Sequence, residues 1–228
     1  MEGAPDRELP EAQGSRDTVA SLLAGARHGP APGREAAIRE LRHRFARPVY
    51  RALRSIQSTH QDARLLASVF FLLLTRGAGM APFDPGQSSF RAYLKTLLGR
   101  FLGDGPPAAA PSPVGVSLAV PGSLPERAFD DAWRVSLMDR AVGQVRKWYL
   151  LRGWVARFRV FEEHDLGRLP DRQGLDRIAR SMGIAEKAAA QYLFGVRQDI
   201  RAFIRSDLES MTGSREQMER EWASFLEL

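Results

Sequence analysis

The sequence predicts an all-α protein, and three observations support that fold class. Apolar residues recur at spacings of three and four along most of the chain, as on the buried face of a helix. No stretch of appreciable length alternates apolar and polar residues as a half-buried strand does. The chain has 228 residues, of which 44% are hydrophobic, and this is enough for one large or two small cores. We therefore expect two small helical domains joined by a linker.

The composition excludes several classes of function. Cysteine is absent and the four histidines lack metal-ligand spacing, so we expect no disulfide, thiolate chemistry, bound metal or cofactor. Adjacent acids such as Glu162 and Glu163 would point about 100° apart on a helix, which is unsuitable for a catalytic pair. The chain also has no phosphate-binding glycine loop. We expect a protein that is not an enzyme and has no catalytic residue.

Charge and hydropathy limit the partners and the compartment. The formal net charge is +6 at pH 7, which is compatible with nucleic-acid binding without establishing it. The longest apolar run is too short to span a bilayer, and the acidic, polar N-terminus is not a signal peptide. These features predict a cytoplasmic protein without membrane insertion.

The first half of the chain predicts a disordered or partly helical segment, residues 1–33, and a helical domain, residues 34–104. Glycine and proline at residues 29–33 interrupt any earlier helix. A helix over residues 34–56 contains Pro48, which predicts a kink or a break, and Thr59 is placed to cap a second helix. The first of these helices carries seven arginines expected on its outer surface: Arg34, Arg39, Arg42, Arg44, Arg47, Arg51 and Arg54.

The third predicted helix of this domain, residues 89–102, is amphipathic and basic. The residues before it, 84–86, have the composition of a turn, and Ser88 or Ser89 is suited to cap the helix. Its apolar residues form one stripe, and its cations lie largely off that stripe. Taken alone, this pattern favours a surface helix with solvated cations, and contact with a phosphate backbone is the alternative. The cations are Arg91, Lys95 and Arg100.

A linker over residues 105–124 separates this domain from a second one over residues 125–228. The linker is rich in proline, glycine and alanine and nearly free of charge, so it is expected to be flexible. The second domain begins with a long helix in which Trp133 and Trp148 are expected to be packing anchors. Residues 174–205 have helix-turn-helix spacing, with Gly183 at the turn. A DNA-binding motif and a purely structural helical hairpin explain this pattern equally well.

The order of these segments carries a family resemblance. Residues 44–54, RFARPVYRALR, precede the turn and helix start of residues 83–94, which include FDP and SFRAYL. The segment PERAFD at residues 125–130 begins the long helix, and REQMEREWASFLEL at residues 215–228 closes the chain. Together these segments resemble bacterial RNA polymerase sigma factors of the extracytoplasmic-function group, of which the chain would be a divergent member.

The resemblance implies a two-domain architecture and two kinds of macromolecular contact. Residues 34–104 would correspond to sigma region 2, and residues 125–228 to region 4 with a long leading helix and a C-terminal helical tail. A sigma-like transcription initiation protein would bind the clamp helices of core RNA polymerase and double-stranded promoter DNA, and an anti-sigma protein is a further expected partner. The implied polymerase-binding residues are Asp62, Leu66 and Phe70. The implied DNA-binding residues are Arg91, Lys95 and Arg100 at the −10 element, and Lys187, Gln191, Arg197 and Arg201 at the −35 element.

Departures from the family pattern support a second hypothesis. Arg64 and Leu65 stand where the family's polymerase-binding helix usually carries acids, which removes electrostatic attraction. Asp199 stands among positions that are usually cationic and would repel phosphate there. The alternative is a degenerate sigma-like interaction module that binds a protein partner without initiating transcription.

Overall fold

The all-α prediction is confirmed for the part of the chain that the structure describes. The structure is a computed structural model, and it describes residues 18–57, 59–77, 82–103, 124–167 and 174–227. These residues contain nine α-helices and no strand. The helices are α1 Val19–His28, α2 Ala31–Arg54, α3 His60–Arg76, α4 Phe90–Gly103, α5 Glu126–Leu151, α6 Val155–Asp165, α7 Leu175–Ser181, α8 Glu186–Glu209 and α9 Arg215–Glu227.

Two compact units divide the described residues, and the division differs from the predicted domains. The larger unit comprises residues 18–137 and 207–227, and the smaller comprises residues 138–206. The predicted second domain, residues 125–228, is therefore shared, because its first helical turns and its C-terminal helix pack with α1–α4. The predicted linker lies outside the described residues except for Leu124, and so do residues 1–17 of the predicted N-terminal segment.

Aromatic and aliphatic side chains from four helices build the core of the larger unit. Phe45 of α2 lies 4.6 Å, between ring centroids, from Phe90 of α4 and stacks on Trp133 of α5 at 5.5 Å. Phe70 of α3 meets Phe101 edge to face, so α3 closes the other side of the core. Each such side chain contributes about 1.5–3 kcal/mol when fully buried. The core therefore includes Trp133 as an anchor, in agreement with the sequence analysis.

The ends of the helices follow local sequence signals closely. The Thr59 side chain accepts a hydrogen bond from the Asp62 amide, which caps α3 as predicted. At the other end of α3, Gly77 adopts a left-handed φ of 69°. Ser89 caps α4 through its hydroxyl, which accepts from the Ala92 amide. Pro48 does not break α2, which runs without interruption from Ala31 to Arg54.

The C-terminal segment joins the larger unit through backbone contacts that no local pattern announces. The carbonyl of Met211 accepts a hydrogen bond from the Phe90 amide at 2.9 Å, which satisfies a free donor at the start of α4. The carbonyl of Ser210 accepts from the Val19 amide at the start of α1. Residues 210–211 therefore serve the N-termini of two helices, α1 and α4.

Arg44 corrects the prediction that all seven arginines of α2 face outward. Its side chain is only 5% exposed, and its guanidinium donates to the Ser210 hydroxyl at 2.6 Å and pairs with Asp207 at 3.5 Å. The same guanidinium lies 5.4 Å from the centroid of the Phe45 ring. The apolar spacing of α2 did not reveal this burial because both polar partners come from the far end of the chain.

The smaller unit is a helical cluster that contains the predicted helix-turn-helix. Gly183 follows the C-terminal cap of α7 with a left-handed φ of 66°, and the Ile184 amide donates to the Ala179 carbonyl, so the chain turns directly into α8. Trp148 is buried and meets Trp154 edge to face at 5.4 Å, consistent with its expected anchoring role.

Among the described helices, none combines the length and the apolar character needed to cross a membrane.

Candidate nucleic-acid interface

Arg91 of α4, the first cation predicted to contact DNA, forms ion pairs and a hydrogen bond with side chains of the larger unit. Its guanidinium lies 2.7 Å from Asp130 Oδ1 of α5 and 3.3 Å from Glu221 Oε2 of α9. It also donates to the Ser224 hydroxyl at 2.9 Å. The side chain is only 13% exposed. Arg91 is therefore a largely buried member of an ion-pair network.

Lys95 lies one turn further along α4 and joins the same network. Its ammonium group is 2.6 Å from Glu126 and 3.2 Å from Asp130, so Asp130 bridges both cations. The third predicted cation, Arg100, is exposed near the end of the helix. Only one of the three cations predicted at the −10 element thus presents its charge to solvent.

Glu221 ties the C-terminal helix to the beginning of α4 as well as to Arg91. The Ser89 hydroxyl, which caps α4, donates to Glu221 Oε1 at 2.6 Å. Nearby, the side-chain amide of Gln217 donates to the Gly86 carbonyl in the turn before α4. The turn itself is held by Asp84, whose carboxylate accepts from the Gly86 amide and from the Gln87 side chain. α9 therefore contacts both the start of α4 and the turn that precedes it.

The cations predicted on α8 have a different environment. Lys187, Gln191 and Arg201 are all exposed, and within the described residues no side-chain hydrogen bond or ion pair involves them. Their spacing of four and ten residues keeps them near one face of the helix. Phe194 lies between them and is 58% exposed, although it is a large apolar residue. The apolar stripe of α8 faces inward through Ala189, Leu193, Val196 and Ile200.

Phe194 is a candidate contact residue that the sequence analysis did not select. It falls one position after the buried Leu193 and two before the buried Val196, so the helical period places it outside the apolar stripe. That break in the period is the signal that identifies it. An exposed aromatic ring between two unpaired cations suits a contact with a base methyl group or a sugar.

Arg197, the fourth predicted residue of this helix, holds a carboxylate. Its guanidinium forms two hydrogen bonds with Asp165 of α6, at 2.7 and 2.8 Å. Burial raises the pKa of Asp165, but hydrogen bonds from Arg197 and His164 outweigh it, and the net pKa lies below its usual value. The Asp165 carboxylate likewise raises the pKa of Arg197. Arg197 remains 45% exposed and is only partly available to a phosphate.

Asp199 of α8 is buried, which corrects the expectation that it would repel phosphate. It is 5% exposed and accepts a hydrogen bond of 2.5 Å from the Tyr149 hydroxyl of α5. A buried carboxylate with a phenolic donor stabilises the packing of α5 against α8. The negative charge at this position is thus an interior feature of the smaller unit.

The predicted polymerase contacts are placed mostly inside the larger unit. Leu66 and Phe70 are both 0% exposed, so the structure presents no docking surface formed by these two side chains. Asp62 is half-buried and its carboxylate accepts from the Thr59 hydroxyl at 2.7 Å. The exposed face of α3 is instead formed by Gln61, Arg64 and Ser68. The inward orientation follows from the three- and four-residue spacing of the apolar side chains of α3.

Among the described residues, no three His, Asp or Glu side chains converge in a way that would hold a metal ion. The adjacent acids Asp130 and Asp131 differ in exposure, at 13% and 52%, as expected for neighbours on a helix.

Comparison of the chain with family models, with curated proteins and with solved structures finds no match.

Proposed function

We propose that this chain is a DNA-binding protein of the sigma-factor type that contacts duplex DNA through α8. One observation carries the proposal: α8 follows a glycine turn and presents Lys187, Gln191 and Arg201 without side-chain partners among the described residues. Lysine and arginine suit phosphates, and glutamine can form two hydrogen bonds with an adenine edge. A helix that follows a short helix and a tight turn is the usual element for the major groove.

The transcriptional part of the proposal rests on the order of segments that resembles sigma factors. In that role, α8 would lie at the −35 element and α4 near the −10 element. The cations Arg91 and Lys95 would then have to exchange Asp130, Glu126 and Glu221 for phosphates. α4 therefore enters the proposal as a site that requires rearrangement, whereas α8 requires none.

The pairing of α4 favours a second candidate, an interaction module that binds a protein partner and does not initiate transcription. Arg91 and Lys95 together pair with three carboxylates, and only one of these, Asp130, contacts both cations. Little positive charge is therefore left on this part of α4 for DNA. The buried Leu66 and Phe70 provide no docking surface for polymerase. In this candidate, polymerase binding and promoter opening are both absent.

The proposal can be tested by fluorescence anisotropy with a labelled 30-base-pair duplex over a series of salt concentrations. The double variant Lys187→Glu, Arg201→Glu should bind at least tenfold more weakly, and the slope of log K against log salt should fall by about 2, because each phosphate contact contributes about one. A control with the same change in net charge is Arg39→Glu, Arg220→Glu, at two exposed positions of the larger unit. Equal losses in both double variants would reject α8 as the contact.

Copurification with core RNA polymerase, followed by run-off transcription, separates the two candidates. A sigma-type initiator should copurify with polymerase and start transcripts from a specific promoter. A chain that binds duplex DNA but neither copurifies with polymerase nor supports transcription would leave the α8 contact in place and favour the interaction module.

A further inference from the structure

A basic groove lies between α2 and α5 in the larger unit, whereas the proposed DNA contact through α8 belongs to the smaller unit. Its volume is about 560 Å³, within the size range of small-molecule sites. One wall carries Arg47, Arg51 and Arg54 of α2, with His60 beyond them. The opposite wall is formed by Ala128, Asp131, Ala132 and Val135 of α5.

The cationic wall follows from the register of α2. The three arginines are spaced by four and three residues, so they share one helix face over about 10 Å of helix length. Arg51 and Arg54 carry like charges three residues apart, which repel each other, and a bound anion would reduce that repulsion. Among the described residues that line the groove, Asp131 is the single carboxylate, and it pairs with Arg134. The cationic wall is therefore suited to a multiply charged anion.

Two of these arginines have hydrogen-bonding capacity left. Arg51 is exposed and has no side-chain partner among the described residues. Arg54 donates from Nη1 to the Gln57 carbonyl at 2.6 Å, which fixes its guanidinium at the end of α2. Its Nε is buried and has no acceptor within the described part of the chain. Because this Nε is enclosed by protein atoms, the groups of Arg54 that an anion in the groove can reach are its terminal guanidinium nitrogens.

The second wall adds specificity beyond charge. Ala128 is half-buried and Val135 is 42% exposed, so these two side chains leave an apolar surface on which a flat ring can lie, with the buried Ala132 between them. The Asp131 carboxylate, 52% exposed, can accept a hydrogen bond from an amino or hydroxyl group of a ligand. A phosphate chain on one side and a ring with polar substituents on the other match the two walls.

The geometry points to a binding site for a nucleoside polyphosphate, with its phosphates on Arg51 and Arg54 and its base on the wall of α5. The site belongs to the larger unit and is independent of the proposed contact through α8. Its test therefore succeeds or fails separately from the DNA-binding measurements.

Isothermal titration calorimetry of the full chain with ATP, without magnesium, tests this site. ATP should bind, and tripolyphosphate should bind more weakly because it leaves the apolar wall unused. Arg51→Ala and Arg54→Ala should each weaken ATP binding at least tenfold. Arg42→Ala is the matched control, since Arg42 is exposed on the opposite side of α2, and it should change the affinity less than twofold.

Because Arg54→Ala also removes a hydrogen bond at the end of α2, a second variant tests the groove with Arg54 intact. Val135→Glu adds a carboxylate to the groove at an already exposed position and should also weaken ATP binding at least tenfold. The assignment is overturned if ATP does not bind, or if Arg42→Ala weakens binding as much as Arg51→Ala. It is also overturned if a 12-nucleotide single-stranded DNA binds with the same dependence on Arg51 while ATP does not, because the groove would then serve a nucleic-acid backbone.

Discussion

Helices α4 and α8 carry the same kind of sequence signal and end in different electrostatic environments. Both place lysine and arginine outside an apolar stripe at helical spacing. In α4, Arg91 and Lys95 are only 13% and 20% exposed and are bound by carboxylates. In α8, Lys187 and Arg201 are exposed and have no partner among the described residues. The availability of a cation to DNA is therefore set by tertiary structure and not by its position on its own helix.

The carboxylates that distinguish the two helices come from distant parts of the sequence. Asp130 lies 39 residues after Arg91, and Glu221 lies 130 residues after it. A window of 20 residues around α4 contains neither. Largely buried ion pairs also differ energetically from exposed charges, because removal of one partner leaves the other without compensation in a region of low dielectric. Substitution of the cations of α4 should accordingly lower the free energy of unfolding, whereas substitution of those of α8 should weaken DNA binding.

The largest expected effect is that of Arg91→Ala on the free energy of unfolding. Its removal leaves Asp130 and Glu221, which are 13% and 15% exposed, without their main counter-ion. We expect a loss of about 3 kcal/mol, the lower end of the range for breaking a buried pair. Chemical denaturation monitored by tryptophan fluorescence measures this loss, since Trp133 lies in the same core.

Arg201→Ala is the matched comparison on α8. This exposed side chain has no partner in the described structure, so its removal should change the free energy of unfolding by less than about 0.5 kcal/mol. Similar destabilisation by both substitutions would contradict the distinction between the two helices.

Local signals in the sequence were sufficient for the helical character of the chain and for several helix ends. Thr59 and Ser89 cap α3 and α4, and Gly183 forms the turn between α7 and α8. Each of these features depends on residues within a few positions of each other, where propensity and hydrogen-bonding chemistry are decisive. The all-α fold class was predictable for the same reason.

Long-range packing accounts for what the sequence did not reveal. The burial of Arg44 depends on Asp207 and Ser210, and the division into units depends on α9 packing with α4. Asp199 was expected to be a surface anion, but it accepts a hydrogen bond from Tyr149, which lies 50 residues earlier in the chain. A single sequence contains no signal for such pairs, because a polar residue on a helix has the same local pattern whether it is solvated or paired.

The second effect concerns the docking of the C-terminal segment on the turn before α4. A Cβ atom added to Gly213 would lie 2.1 Å from the Pro85 carbonyl oxygen, so Gly213→Ala forces two backbone segments apart. We expect a loss of about 2 kcal/mol, as for overpacking in a rigid site. Limited proteolysis should release α9 more quickly, and duplex DNA should bind several-fold more tightly at low salt because Arg91 loses Glu221.

Gly99→Ala is the control for that substitution. A Cβ at Gly99 has no atom within 4 Å, and the residue lies inside α4, so alanine should stabilise the helix by about 0.5–1 kcal/mol. An unchanged proteolysis rate and unchanged DNA affinity in Gly213→Ala would show that α9 does not control access to α4.

A small effect is expected at Arg197, which is intermediate between the paired cations of α4 and the unpaired cations of α8 because it is paired yet 45% exposed. Its hydrogen bonds help to hold the pKa of Asp165 below the usual value, so the pair stabilises the fold above the unfolded carboxyl pKa. That stability is lost as the pH falls from about 5 through the folded pKa. Arg197→Ala should raise the pKa of Asp165, as followed by carboxyl NMR, and cost less than about 1 kcal/mol at neutral pH. A pKa of Asp165 that is normal in the unmodified protein would remove Arg197 from the paired class and make it as available to DNA as Arg201.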